Sequence, residues 1–279
     1  GWATQDPEGA LDWLEENSDT LEPEVAGRVR AAAIANAFAT APQRAVKMAL
    51  ALERDQLLGV AGQLRRQRQS PQEKLDTLRL VQGQLDPLPS EPERIGEDFV
   101  EEASSGQLLH GILLVGVGQS LSRQSFEASQ GFLDSANLGA SEQAVIASGL
   151  AEHSGELQDP GSWIPWIHEH SPGARSDELV SNVVEGWTER DFRSTADWIG
   201  DQPDGTLKEI STYSFAETVA PHEPASAASW AATLPASENR QELMQRIHDH
   251  WSGQDSEAAA EFAQQYDLNL IPPPPPDPP

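Results

Sequence analysis

Residues 187–198 read Trp-Thr-Glu-Arg-Asp-Phe-Arg-Ser-Thr-Ala-Asp-Trp, and the key positions of this stretch recur along the chain. An aromatic residue returns every 32 residues, at Trp166, Trp198, Trp230 and Phe262. An acidic residue lies seven positions before each of them, at Asp159, Asp191, Glu223 and Asp255. The shared unit, written W-x3-[DE]-P-x3-A-x-[WF], indicates a repeat protein.

Each unit predicts the start of a helix. The carboxylate of an N-cap residue accepts a backbone N–H of the first turn, and a proline in that turn loses no hydrogen bond. We therefore expect the four acidic residues to precede helices, with Pro160 and Pro224 in the first turn. Glu223 should cap less well, because its side chain is longer. The aromatic residues should be mostly buried and should contact the next repeat.

A second helix follows within each unit. Val180, Val184 and Trp187 fall at i, i+4 and i+7, which is one face of an amphipathic helix. A helical hairpin cannot bury such a face alone, whereas stacked neighbours can. The sequence therefore predicts an all-α protein, an α-solenoid of about eight stacked hairpins with a period near 32–36 residues.

The predicted array forms a single domain over residues 1–270, with looser repeats in 1–120 and regular repeats in 121–270. Residues 271–279 are rich in proline and predict a polyproline II tail, either a spacer or a ligand for an aromatic groove. The segment Gly116-Val-Gly118 has two glycines of a phosphate-binding loop but lacks the third. We interpret it as a buried helix whose glycines permit close packing.

Composition and charge exclude several classes of protein. The 279 residues carry a formal net charge of −27, which disfavours nucleic acid as a partner. There is no cysteine, so disulfides, thiolate catalysis and cysteine-ligated metals are excluded. The longest apolar run, residues 108–117, is interrupted by His110 and is shorter than a membrane span. The lack of cysteine fits an extracytoplasmic bacterial location, periplasmic or membrane-anchored, and a cytoplasmic location stays open as the alternative.

The charge is unevenly distributed along the chain. Residues 101–279 contain 28 acidic and 7 basic side chains, a net charge of −21, whereas residues 1–100 carry −6. The acidic part either keeps the protein soluble or docks a cationic partner. Arg65, Arg66 and Arg68 form the one basic cluster, which is either a solvated helix face or a docking point for an acidic partner.

Candidate ligand-binding residues are few, and no catalytic residue is assigned. His168 and His170 are two positions apart, and such positions point away from each other on a helix. We therefore predict no metal site and no cofactor. Trp163, three residues before Trp166, either fills the core or forms a ligand platform beside the two histidines.

The units resemble those of bacterial helical-hairpin repeat proteins, which are similar in kind to tetratricopeptide arrays. The period of 32 and the missing Gly-x2-Tyr element differ from the tetratricopeptide pattern. The resemblance implies stacked helical hairpins and protein binding. We therefore expect a non-catalytic scaffold for a protein or peptide, with a cationic partner favoured. A hydrolase with carboxylates in a groove and a carbohydrate- or metal-binding module remain as alternatives.

Overall fold

A computed structural model describes residues 5–17, 22–91, 102–171 and 173–268, and in these ranges it contains helices and no strand. The prediction of an all-α protein is confirmed. None of the helices in these ranges has the length and apolar character needed to cross a membrane. The tail at 271–279 lies outside the described residues.

Contacts divide the chain into two compact units, Gly1–Leu179 and Val180–Pro279, here called unit 1 and unit 2. The predicted single repeat domain over residues 1–270 stays a prediction. Unit 1 contains the helices α1 Pro7–Asn17, α2 Pro23–Ala37, α3 Pro42–Leu50, α4 Arg54–Leu64, α5 Pro71–Val81, α6 Ser105–Ser122, α7 Phe126–Ser135, α8 Ala140–Ala151 and α9 Pro160–His170. Short 3-10 helices lie at Gln82–Gln84 and Ser154–Glu156.

Helix α10, Ala174–Asp201, contains the boundary between the units. Unit 2 then contains α11 Thr206–Val219, α12 Pro224–Ala231, α13 Glu238–Ser252 and α14 Ser256–Gln265. The core of unit 2 consists mainly of small and aliphatic side chains from α11 to α14, among them Ala216, Ala227, Ala231, Leu243 and Ile247. Small residues let these short helices approach each other closely.

Proline and serine define many of the helix starts. A proline occupies the first turn of α2, α3, α5, α9 and α12, where its missing N–H has no helical partner to lose. Among the described residues, serine hydroxyls accept the backbone N–H three residues ahead at Ser70, Ser104, Ser125 and Ser237. These local interactions explain why the helices begin where they do.

Asp191 interrupts α10 and starts a new helical segment. Its φ of −154° and ψ of 79° are not helical, whereas the residues on both sides are. Its carboxylate accepts the Ser194 N–H at 3.1 Å and the Ser194 hydroxyl at 2.6 Å, and these bonds lower the pKa of Asp191. The predicted helix start at this position is therefore confirmed.

The other predicted caps also precede helices, but they differ in their hydrogen bonds. The Asp255 carboxylate accepts the N–H groups of Glu257 and Ala258 at 3.2 and 3.0 Å. Glu223 makes no side-chain cap, as expected from its length. Asp159 makes none either, which the sequence did not predict. Its left-handed φ of 55° differs from the extended backbone of an ordinary N-cap.

Glycines let α6 and α8 cross at very short range in unit 1. A Cβ atom on Gly118 would collide with the carbonyl oxygen of Ile146, and one on Gly149 would lie 2.5 Å from the carbonyl oxygen of Val115. Both obstacles are backbone atoms of the facing helix. The interpretation of the glycine segment as a closely packed, buried helix is confirmed.

Within each unit, a helix packs against its neighbour and often against its second neighbour. In unit 1, α2 contacts α1, α3 and α4, while α3 also contacts α5, and α6 contacts α8. In unit 2, α11 contacts α12 and α13, and α13 contacts α14. In these cases, a helix and the second helix after it along the chain are therefore in contact within the same unit.

The aromatic column of unit 2 pairs with rings on the preceding helical segment. Trp198 contacts Trp187 at a centroid distance of 5.7 Å, and Phe262 contacts Trp251 at 5.5 Å. Phe262 is buried, whereas Trp166, Trp198 and Trp230 keep part of their surface exposed. The expected contact of the column with the next repeat stays a prediction.

Candidate functional site

Trp163 lies in the core of unit 1. Its side chain is completely buried and meets Phe126 and Trp166 edge to face, at centroid distances of 4.9 and 5.9 Å. The interpretation of Trp163 as a core residue is therefore correct. The alternative, a surface platform for a ligand, is wrong, because no face of the ring reaches the solvent.

His168 and His170 are used separately at the end of α9. His168 Nδ1 lies 2.8 Å from the Ser176 hydroxyl. His170 Nδ1 lies 2.8 Å from the Trp166 carbonyl oxygen, and its ring stacks on that of Trp166 at 4.4 Å. Each ring is held by local partners, and the structure does not join the two histidines and Trp163 in one ligand site.

The predicted arginine cluster is divided between different surroundings. Arg65 pairs with Glu152 of unit 1 at 3.1 Å. Arg68 lines a polar cavity of about 470 Å³ together with Arg123 at the start of α5. Arg66 is exposed. Adjacent positions in the sequence therefore do not produce a single basic patch.

A buried histidine that sequence analysis did not select lies beside a carboxylate. His110 is 4% exposed; its Nδ1 lies 3.3 Å from the Asp86 carbonyl oxygen, and its Nε2 lies 3.7 Å from Glu142 Oε1. The Nδ1 atom is within hydrogen-bond distance of its acceptor, whereas Nε2 is farther from Glu142 than a hydrogen bond allows and has no hydrogen-bond partner among the described residues. The one available indication in the sequence was that His110 interrupts an apolar run.

Glu142 is the centre of this polar group. Arg79 donates to both of its carboxylate oxygens, at 2.8 and 3.3 Å, and the Gly139 N–H donates at 2.9 Å. Burial raises the pKa of Glu142, but His110, Arg79 and the Gly139 N–H outweigh it and lower that pKa to about 2. The carboxylate is thus ionised at neutral pH. Glu142 lines a cavity of about 300 Å³ together with Pro87 and Pro89.

Unit 2 has a strong excess of negative charge. Residues 180–279 contain 17 acidic and 5 basic side chains, a net charge of −12. Lys208 pairs with Asp204 at 3.2 Å, and Arg246 pairs with Glu217 at 3.1 Å. Burial and the charge of Glu185 both raise the pKa of Glu217. Like charges are therefore close together on this unit.

Lys74 of α5 is a buried cation. It is 8% exposed, and its ammonium group donates to the Gly116 carbonyl oxygen at 2.9 Å. Burial, together with the charge of Arg123, lowers the pKa of Lys74 to about 8. The ammonium group lies close to the backbone of Gly116, where a Cβ atom would be 3.4 Å from the nitrogen.

The lowered pKa of Lys74 predicts that burial of its charge lowers the stability of the folded protein by an amount that depends on pH. Between about pH 8 and about pH 10.5 the unfolded chain holds a proton on Lys74 that the folded protein has lost, so stability contributed by this group rises with pH. At pH 7 both states are charged, and Lys74→Met should raise the free energy of unfolding by about 2 kcal/mol. The difference in the free energy of unfolding between Lys74→Met and the unchanged protein, measured by urea denaturation, should be smaller at pH 10 than at pH 7.

The matched control is Lys47→Met, which replaces an exposed lysine of α3. Its difference from the unchanged protein should be the same at pH 7 and pH 10. An advantage of Lys74→Met that is equal at both pH values would contradict the assignment of a strained, charged Lys74.

Within the part of the chain that the structure describes, no three His, Asp or Glu side chains are grouped so that they could hold a metal ion. No family model matches the chain, and comparisons with curated proteins and with solved structures find no match either.

Proposed function

We propose that the protein is a non-catalytic scaffold of stacked helical hairpins that holds a protein or peptide partner. The contacts of alternate helices in each unit support a solenoid, because stacked hairpins bury their apolar faces in this way. The helix starts at Asp191, Glu223 and Asp255 fit a period of 32 residues. Such arrays present extended surfaces to their partners.

The charge of unit 2 carries the proposal and suggests a cationic partner. Unit 2 contains 17 acidic and only 5 basic side chains. Two of the basic side chains, Lys208 and Arg246, already form ion pairs within the unit. The raised pKa of Glu217 reports the nearby charge of Glu185 as well as burial. A lysine-rich segment would relieve this repulsion, and long-range attraction would accelerate its association.

The alternative of a hydrolase has one specific observation in its favour, the pair of His110 and Glu142 beside a cavity. A general base is most effective when its pKa lies near the working pH. The pKa of Glu142 is about 2, and its oxygens are occupied by Arg79 and Gly139. This carboxylate is therefore better suited to fixing α8 against α5 than to accepting a proton.

Binding of a fluorescein-labelled oligolysine peptide tests the scaffold proposal. We expect saturable binding at about 0.05 M ionic strength that weakens strongly at about 0.5 M, because salt screens exposed charges. The triple variant Glu185→Gln, Asp197→Asn, Glu209→Gln neutralises exposed carboxylates of unit 2. It should lower the association rate and the affinity, measured by stopped-flow fluorescence and anisotropy.

The matched control neutralises three exposed carboxylates of unit 1, by Glu16→Gln, Glu127→Gln and Asp134→Asn. Both variants change the net charge by the same amount, so a difference between them locates the binding surface. Equal loss in both variants would mean that only the total charge matters. Such a result, or no dependence on salt, would contradict the proposal.

A further inference from the structure

An apolar cleft lies among α4, α6 and α8 of unit 1. Its volume is about 160 Å³, and its walls are aliphatic side chains, among them Leu58, Leu64, Leu108, Ile112, Val115 and Val145. Leu58 is 41% exposed, so apolar surface continues to the opening of the cleft. Exposed apolar surface of this kind is unfavourable in water and is stabilised when a ligand covers it.

Arg175 lies in the wall of the cleft with an unsatisfied donor. Its Nη1 donates to Glu178 at 2.6 Å, whereas its Nε is shielded from solvent and has no acceptor among the described residues. A buried N–H without a partner is unfavourable by more than an ordinary hydrogen bond contributes. Because this nitrogen is closed to solvent in the present arrangement, a ligand oxygen reaches it only when the guanidinium group turns toward the cleft.

Arg65 provides a second cation in the same wall. It pairs with Glu152 at 3.1 Å, and both side chains are largely open to solvent, so this ion pair contributes little to stability. The guanidinium group of Arg65 can therefore donate to a second carboxylate. Arg65 is paired with Glu152 and Arg175 with Glu178, so the charges around the cleft balance in a chain whose total is −27. The wall that carries the two arginines therefore repels an anionic head group less than the acidic remainder of the chain does.

We propose that this cleft binds an amphiphilic carboxylate of the fatty-acid class. The aliphatic chain covers Ile112, Val115 and Val145, and the carboxylate accepts hydrogen bonds from Arg175 and Arg65. Binding combines burial of methylene groups with charge-assisted hydrogen bonds. This ligand is independent of the proposed function, because the acidic surface assigned to a cationic peptide belongs to unit 2.

Calorimetric titration of the full chain with hexanoate, octanoate and decanoate, below their aggregation concentrations, tests the proposal. Affinity should rise roughly fourfold for each added methylene until the cleft is full. The alcohols of equal chain length should bind at least about tenfold more weakly, because they lack the charge. Equal affinities of alcohols and carboxylates would assign the cleft to uncharged ligands and overturn the proposal.

Variants of the cleft locate the binding site. Arg175→Gln should weaken decanoate binding at least about tenfold while the affinity for decanol is unchanged. Arg28→Gln, which removes an exposed arginine of α2, is the matched control and should leave both affinities unchanged. Val115→Phe should fill the cleft and abolish binding of both ligands.

Leu58→Gln keeps the test decisive if Val115→Phe fails to fold, since Leu58 is exposed and its replacement should not change the melting temperature. We expect weaker binding of both decanoate and decanol to this variant. Decanoate affinity that is unchanged in both Arg175→Gln and Leu58→Gln would overturn the proposal. So would the absence of any binding of decanoate to the unchanged protein.

Discussion

Gly149→Ala and Gly118→Ala are each expected to lower the free energy of unfolding by about 3 kcal/mol or more. A Cβ on Gly149 would lie 2.5 Å from the Val115 carbonyl oxygen, and one on Gly118 would collide with the Ile146 carbonyl oxygen. Because these are backbone atoms, the clash is relieved only by moving α6 away from α8, which opens the packed core. Urea denaturation followed by circular dichroism measures the loss.

Gly62→Ala and Gly131→Ala are the matched controls. Both glycines lie in exposed turns of helices, and a Cβ there would meet nothing within 4 Å among the described residues. Alanine is the better helix former, so these two changes should stabilise the protein by up to about 1 kcal/mol. If Gly149→Ala or Gly118→Ala proved as stable as the control variants, the prediction would be contradicted. That result would show that α6 and α8 do not cross at this short range.

Trp163→Ala should be destabilising by about 3–5 kcal/mol, the range for a buried large aromatic residue. The indole is completely enclosed and contacts the rings of Phe126 and Trp166, so its removal leaves a cavity that the rigid neighbours cannot fill. The repeat pattern alone predicts an equally large loss for Trp198→Ala. Trp198 is partly exposed, however, and we expect a smaller loss there.

The comparison of the two tryptophans can be measured in the same denaturation experiment. Both variants exchange the same two side chains within a helix, so the change in helix propensity is matched, and burial is the main difference. A loss for Trp198→Ala that equals or exceeds that for Trp163→Ala would contradict the burial found here. Such a result would instead indicate that the aromatic residues recurring every 32 positions contribute most to stability.

Local features of this protein were predictable from the sequence because their causes lie within a few residues. A carboxylate can cap a helix whose first turn follows it directly, and Asp191 and Asp255 do so. Glycines inside an apolar run indicate close helix packing, which Gly118 shows. The all-α class follows from the same periodicity and caps. Glu223 makes no side-chain cap, in agreement with the expectation from its longer side chain, which is also a local property.

The candidate sites, by contrast, were decided by helices that are distant in the sequence. Trp163 and Trp166 are both aromatic residues on α9, and only the packing of α7 against Trp163 determines which of them is enclosed.

Charged and apolar groups were also brought together by this packing. His110 meets Glu142 because α6 packs on α8, and Arg65 and Arg175 share one cleft although 110 positions separate them. Burial, charge pairing and cavity shape depend on which helix faces meet. The sequence by itself therefore determined the helices and their starts, and tertiary packing determined which side chains come together.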